Sequence, residues 1–263
     1  MTTADKLLSV LTLFSLEQPE WTVEDAAQKL GLAVSTAYRY FRSLSRAGLI
    51  VAFASGRYVL GPAILQLDRQ IRLLDPLIST AAPIMNRLAR VGPSHSIVIL
   101  CRLYRDQVMC VHSESVERSE FAISYERGRP MPIFRGAASK AILANLPSRT
   151  ARTMHRRFAT EMQQSGLGQN WEAVKARLRE LREAGTALTR SELDVGMAGI
   201  SAPVFGPNDG VIGSLSFVVP ARVITKRFLV FRGSQLRAAS HEIHEGLRLL
   251  AVGHAGIKSP KLT

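Results

Sequence analysis

The sequence predicts an α+β protein with a small winged helix-turn-helix domain, a linker helix, and a larger α/β domain built on an antiparallel sheet. Three observations predict it. Two short amphipathic helical patterns flank Gly31, within residues 22–47. A hairpin pattern, "LIVAFASGRYVL", follows directly at Leu49–Leu60. From residue 96 onward, short apolar stretches alternate with helical patterns and turn signals. Two helices joined by a Gly-containing turn make a helix-turn-helix, and hairpins flanked by helices make an α+β layer.

The elements follow in order. Ala4, Leu7, Leu8, Leu11 and Phe14 recur at helical spacing, and Pro19 closes that element. Thr22 is a good N-cap, with Glu24 and Asp25 in the first turn where the helix dipole favours acids. This second helix is expected to bury Val23, Ala26, Ala27 and Leu30, and Gly31 stops it. The third helix starts near Val34 or Ser35, buries Ala37, Phe41, Leu44 and Ala47, and ends at Gly48. Helix, helix-turn-helix and hairpin within residues 1–60 thus make a complete small module, the hairpin being its wing. In residues 61–75, Ile64, Leu67, Ile71 and Leu74 form a short seam, read as a linker helix that packs a partner subunit or the second domain. Asp75-Pro76 caps the next helix, which Pro83 is expected to interrupt. Strands are expected at Ser96–Leu103, Val108–His112, Phe121–Glu126, Thr186–Ser191, Gly199–Phe205 and Val211–Val219. Helices are expected at Ala137–Asn145, Arg149–Met162 and Trp171–Ala184. The last helix carries Leu236, Ala239, Ile243, Leu247 and Leu250. The second domain covers 76–254, and 255–263 reads as a flexible tail, frayed after Gly253.

Composition narrows the function. The 263 residues are 46% hydrophobic, enough for a proper core. No apolar run approaches the ~20 residues of a membrane helix, and the start lacks signal-peptide features, so a cytoplasmic protein without a membrane partner is expected. The formal net charge is +13. Residues 1–75 hold 8 Lys or Arg against 7 Asp or Glu, a net of +1, so the surplus of +12 lies further on. The first part is nevertheless asymmetric. Ala26 to Leu67 contains no acid, whereas Lys29, Arg39, Arg42, Arg46 and Arg57 are basic.

With Ala37, Phe41 and Leu44 facing inward, the other side of the third helix carries Ser35, Thr36, Tyr38, Arg39, Arg42, Ser43 and Arg46. Short polar residues near the start and arginines further along are what a helix in the major groove needs. Arg39, Arg42 and Thr36 would read or position double-stranded DNA. Tyr38 would pack on the groove, Ser35 would donate to phosphate, and wing Arg57 would hold a flanking phosphate.

At this point the whole chain resembles the IclR-type transcriptional regulators. "VSTAYRYFRSLSRAGLI", "GRYVLGPAILQL", "GRPMPIFRGAASKAILANLP" and "LREAGTALTRSELDVGMAGISAPVF" stand in that family's order and spacing over nearly all of residues 4–250. The resemblance implies a GAF-like effector domain, dimers often paired into tetramers, a palindromic operator, and repression or activation of nearby operons by small organic acids or aromatic catabolites. Repression of a nearby catabolic operon is the expectation here. It also implies an effector pocket at the Gly136-Ala137 turn, Thr189, Gly199, Ser216 and Val218. This chain departs from the family pattern in having Thr189 for Asp or Ser, Gly199 for Cys, Ser or Ala, and Gly206 for Asn or Asp. Gly185, Glu192, Ile200, Ser201, Val204 and Phe205 hold. Gly199 is expected to enlarge the site and Thr189 cannot carry charge, which points to a bulkier or more apolar ligand than a two- or three-carbon acid, such as an aromatic acid.

Other patterns carry less. Cys101 and Cys110 should face each other across an Arg105-Asp106 turn, which allows a redox role, but a reducing compartment makes them core residues. "HEIHE" puts His241, His244 and Glu245 near one helix face without the metalloprotease spacing, so no metal and no cofactor are expected. There is no G-x-S-x-G, no phosphate-binding G-x-x-x-x-G-K and no C-x-x-C, and no enzyme is expected. His95, His112 and Glu192 could meet in the fold without any pattern requiring it. Two alternatives stay open: a metabolite-binding or enzymatic second domain with a DNA-binding head, and a nonspecific DNA-packaging protein.

Overall fold

The structure, a computed structural model, describes residues 2–116 and 123–256. It divides into two compact units, Met1–Leu74 and Asp75–Thr263.

The first unit opens with α1 (Thr3–Ser9) and a 3-10 turn (Leu11–Leu13), followed by α2 (Val23–Leu30) and α3 (Val34–Arg46). Thr22 caps α2 by accepting from the Asp25 amide, and Gly31 ends it in the left-handed conformation. The buried stripe of α3 is Ala37, Tyr40, Phe41 and Leu44. Tyr40 joins the expected stripe, and Ala47 lies exposed beyond the helix end. At the start of the chain Val10 is the fully buried residue, while Ala4 and Leu8 face solvent. The wing is β1 (Ile50–Ala52) paired antiparallel with β2 (Tyr58–Leu60). Trp21 extends it through reciprocal backbone bonds with Tyr58, and its indole donates to the Leu13 carbonyl. Tyr58 then stacks edge-on against Phe41 at 5.0 Å, tying wing to helix. Gly61 lies against the Gly48 backbone so closely that a Cβ there would sit 2.2 Å from the Gly48 oxygen, so only glycine fits. The unit ends with α4 (Pro62–Leu74), which buries no residue.

The second unit is a six-stranded antiparallel sheet with helices on both faces. Its elements in order are α5 (Pro76–Arg90), β3 (Ile97–Tyr104), β4 (Gln107–Glu114), β5 (Pro130–Pro132), α6 (Ala137–Asn145), α7 (Ser148–Arg157), α8 (Ala159–Gln164), α9 (Trp171–Ala184), β6 (Ala187–Arg190), β7 (Met197–Phe205), β8 (Val211–Pro220) and α10 (Lys226–Gly256). The strand order is β5-β4-β3-β8-β7-β6. Ile97, Ile99, Cys101 and Val218 face one core with α6 and α9. Val98, Leu100, Leu215 and Phe217 face the other with α5 and α10. Burial on both faces explains why β3, β7 and β8 read as near-continuous apolar runs rather than alternating ones.

Several expectations are corrected. Pro83 does not interrupt α5: the helix runs on to Arg90, with Pro83 and Ser79, whose carbonyl the proline leaves without its helical donor, both on the exposed side. The expected Arg149–Met162 helix breaks at Phe158, which leaves helical geometry with φ −130° and ψ 35° and whose ring packs on Phe134 at 5.4 Å. Of the expected Phe121–Glu126 strand, 121 and 122 lie outside the described residues. The rest is irregular because the Ser124 amide bonds Asp194 instead of a neighbouring strand. β5 takes the edge position, where its two prolines cost no ladder bond. α10 begins ten residues before Leu236 and continues past Gly253 to Gly256, with Leu250 facing solvent. Residues 257–263 lie outside the described residues.

Phe41 is fully buried and central to a small core. Phe41→Ala should destabilise the first unit by about 3–5 kcal/mol. Urea unfolding followed by Trp21 fluorescence, in a Trp171→Phe background, reads this directly; an unchanged midpoint would contradict the packing described.

Candidate functional site

Two surfaces gather the residues that the sequence singled out. The first is the outer side of α3. Ser35, Tyr38, Arg39, Arg42 and Arg46 are exposed and Thr36 is half-buried. With Ser45 and Tyr58 the arginines line a shallow basic groove between α3 and the wing. Arg39, Arg42 and Arg46 form no ion pair with any described residue. The helix start has no side-chain cap and no acid in its first turn, which leaves backbone amides available for an anion.

Folding also brings acids to this side that a linear reading misses. Glu24 of α2 accepts a 2.8 Å bond from the Tyr38 hydroxyl, which pushes the phenol above its ordinary pKa. Glu20 pairs with Arg57 at 2.9 Å. Arg57 is therefore not a free wing cation. The pair is solvent-exposed, and such pairs are worth at most about 1 kcal/mol, so a phosphate can replace the carboxylate.

The second surface is a cavity between α6 and the sheet. Ala137, Thr189, Gly199, Ser216 and Val218 line it together, as expected from the family resemblance. Gly136 stands at its edge as the N-cap of α6, with φ +85°, and no side chain caps the helix. A Cβ at Gly136 would lie 2.6 Å from both Leu193 Cδ1 and the Tyr125 hydroxyl, so glycine is required there on two grounds. The apolar lining comes from Ile99, Met197, Leu193 and Val218. Polar groups converge beside it. The Ser216 hydroxyl donates to Ser201 Oγ at 2.8 Å, and the Tyr125 hydroxyl lies 3.2 Å from Ser139 Oγ. Burial raises the Tyr125 pKa, so the phenol stays protonated.

The segment after β6 closes this cavity. Asp194 accepts from the Ser124 amide and hydroxyl, the latter at 2.5 Å. Glu192 pairs with Lys140 at 2.6 Å, both side chains less than a fifth exposed. Arg135 donates to the Glu192 carbonyl, and Lys140 also reaches the Ser165 carbonyl. Tyr125, Asp194 and Lys140 escaped the sequence reading as site residues, and Ser124 with them. The run "SELD" directly after a strand was the available signal for Glu192 and Asp194.

Gly199 does not enlarge the cavity as expected. A Cβ there would meet Ala137 Cβ at 3.2 Å, so the missing side chain lets α6 approach the sheet instead. The cavity, half open to solvent, has a volume of about 30 Å3, room for water and not for a ring.

Other singled-out residues are engaged elsewhere. Cys101 and Cys110 do face each other across β3 and β4, beside a bulge at Leu100, and both are buried free thiols. Burial holds the Cys101 thiol protonated. His112 pairs with Glu114 rather than Glu192. His244 turns to Asp209 and the Phe205 carbonyl at the β7–β8 turn, and His241 is exposed. Ser201 is buried in the sheet and bonded to Ser216. Among the described residues no helix is long and apolar enough to cross a membrane.

The lock on α6 gives a testable outcome. Gly136→Ala should lower the stability of the second unit by about 1–3 kcal/mol through backbone strain. It should also expose the 191–196 segment to proteolysis. Unchanged melting and unchanged cleavage would contradict the role assigned to Gly136.

Known proteins fit this arrangement. Residues 3–52 match the IclR helix-turn-helix domain, and residues 74–245 match the bacterial transcriptional regulator IclR C-terminal domain. The chain is similar to the HTH-type transcriptional regulator KipR of Bacillus subtilis, with 27% identity over 218 residues, 81% of this chain and 84% of that protein. It has the fold of an IclR transcriptional regulator from Alicyclobacillus acidocaldarius, with a TM-score of 0.73 and 23% identity, covering 93% of this chain and 98% of that one. An IclR homologue from Microbacterium hydrocarbonoxydans, solved in complex with 4-hydroxybenzoate, superposes with a TM-score of 0.71 at 19% identity, covering 94% of this chain and all of that one. With one IclR domain in each of its two units, the chain belongs to the IclR family of DNA-binding transcriptional regulators, a family of regulators and not of enzymes.

Proposed function

We propose that the chain is an effector-controlled repressor of a nearby catabolic operon. The observation that carries the DNA-reading part is the set of exposed, unpartnered arginines on α3, Arg39, Arg42 and Arg46, over an uncapped helix start. Arg39 or Arg42 reads a base, Thr36 and Ser35 position the helix on phosphates, Tyr38 packs in the groove, and Arg57 exchanges Glu20 for a flanking phosphate. The exposed Leu67, Ile71 and Leu74 of α4 support pairing with a second copy, hence a palindromic operator.

The effector binds between α6 and the sheet. Its carboxylate accepts from the uncapped α6 amides at Gly136-Ala137 and from the Ser216 or Thr189 hydroxyl. Its apolar body lies on Gly199, Ile99 and Val218. An aromatic acid fits this division of donors and apolar wall, and 4-hydroxybenzoate is what the Microbacterium homologue holds. A ring exceeds the 30 Å3 present, so binding displaces Leu193 and Asp194. That displacement breaks the Ser124–Asp194 bonds, and it is the difference between two states that an effector needs in order to shift them.

Selection of bound sequences from random duplex DNA at near-physiological salt tests the first part. The wild type should yield a palindromic motif, and the Arg39→Ala/Arg42→Ala double mutant should lose it, each arginine costing about 1–3 kcal/mol where it reads a base. Absence of any motif would contradict the reading. Calorimetry tests the second: 4-hydroxybenzoate should bind more tightly than glyoxylate or pyruvate, and the reverse order would overturn the aromatic assignment.

A further inference from the structure

The charge of this chain is misplaced for a protein that touches DNA only through its head. The first 75 residues carry a net of +1 and the remainder +12. From Arg127 to Thr160 there are eight Lys or Arg and no acid. Part of that surplus collects in one groove between α7 and α9.

α7 packs inward through Ala151 and Met154, and α9 through Val174 and Leu178. Arg149, Arg152 and Arg156 therefore line up on the outer side of α7, with Lys175 of α9 facing the same groove. All four are exposed and none forms an ion pair with a described residue. Neighbouring arginines do find partners: Arg157 pairs with Asp106, Arg177 with Glu180, and Arg182 with the Ala144 carbonyl. The groove contains one carboxylate, Glu172. Four cations against one acid, set on two packed helices, form a surface for a polyanion.

We infer that this groove is a second DNA contact, which holds the phosphate backbone of duplex outside the sequence read by α3. The inference rests on the reading of the chain as a DNA-binding regulator. The geometry favours a duplex strand over a compact anion. Arg149 to Arg156 spans about 10 Å of helix. A duplex strand presents a phosphate every ~3.4 Å along its axis, so about three phosphates face that span. The cations stand in a row along an open groove instead of converging on a point. A near-neutral head has little long-range attraction for DNA, and the second unit supplies it without reading sequence.

The test uses the full chain and two duplexes carrying the same selected site, one just covering it and one extended on both sides with random sequence. Affinity is measured against salt. The wild type should show a steeper salt slope on the extended duplex, by about 2–3 for three neutralised phosphates. Arg149→Gln/Arg152→Gln/Arg156→Gln should lose that increment and bind the short duplex unchanged. Glu172→Gln should steepen binding to the extended duplex. The Arg39→Ala/Arg42→Ala mutant should lose sequence preference yet keep the length-dependent increment, which separates failure of the groove from failure of the head. Equal slopes on both duplexes for the wild type would overturn the inference. So would a wild type that binds inorganic tripolyphosphate in this groove but shows no length dependence, since that assigns the groove to a small anion.

Discussion

Burial of one side of α3 is the constraint from which the first unit follows. Ala37, Tyr40, Phe41 and Leu44 must leave water together, and Phe41 is the residue around which the rest closes. Tyr58 of the wing stacks on it, Trp21 pairs with Tyr58, and the Trp21 indole holds the start of the chain at Leu13. Once that side is fixed, helical geometry leaves no choice about the other. Arg39, Arg42 and Arg46 are driven outward, where no described residue forms an ion pair with them. The exposed basic surface is thus a by-product of core packing, held in place by the same contacts.

The second unit applies the same rule to a sheet. Both faces are covered, so the central strands β3, β7 and β8 are mostly apolar. The exceptions on the α6 side, Thr189, Ser201, Ser214 and Ser216, mark where the buried face turns polar. Gly136 and Gly199 let the start of α6 come down onto that polar strip, within 3.2 Å of where a side chain at Gly199 would begin. The Lys140–Glu192 pair and the Ser124–Asp194 bonds then hold a lid over it. In the reading proposed above, a ligand that binds better with these bonds broken than with them formed would shift the protein between two shapes.

Much of this was legible in the sequence because its signals are short-range. The Thr22 cap, the Gly31 stop and the Asp75-Pro76 start each act within one helical turn, and α6 and α9 fall at the boundaries their patterns indicate. Cys101 and Cys110 meet because a two-residue turn sets the register of β3 and β4. What was not legible depends on distant partners. Ser124 and Asp194 lie 70 residues apart, and their bond is what keeps 123–126 out of the sheet. Glu20 and Glu24 lie outside the acid-free stretch, yet folding sets them against Arg57 and Tyr38. A continuous helical pattern breaks at Phe158, whose ring meets Phe134 from across the fold, and no local rule foretells either. Site size was misjudged for a similar reason: removing a side chain at Gly199 frees space only if the neighbouring helix stays where it was.

The claim that the outer side of α3 reads bases is tested most directly by methylation interference on a sequence-selected duplex. An arginine that reads guanine bonds its O6 and N7, and N7 methylation blocks that contact. The account predicts at least one guanine in each half-site whose methylation abolishes binding by the wild type and has no effect on binding by Arg39→Ala or Arg42→Ala. No guanine whose methylation weakens wild-type binding, and no difference between wild type and variants, would contradict it.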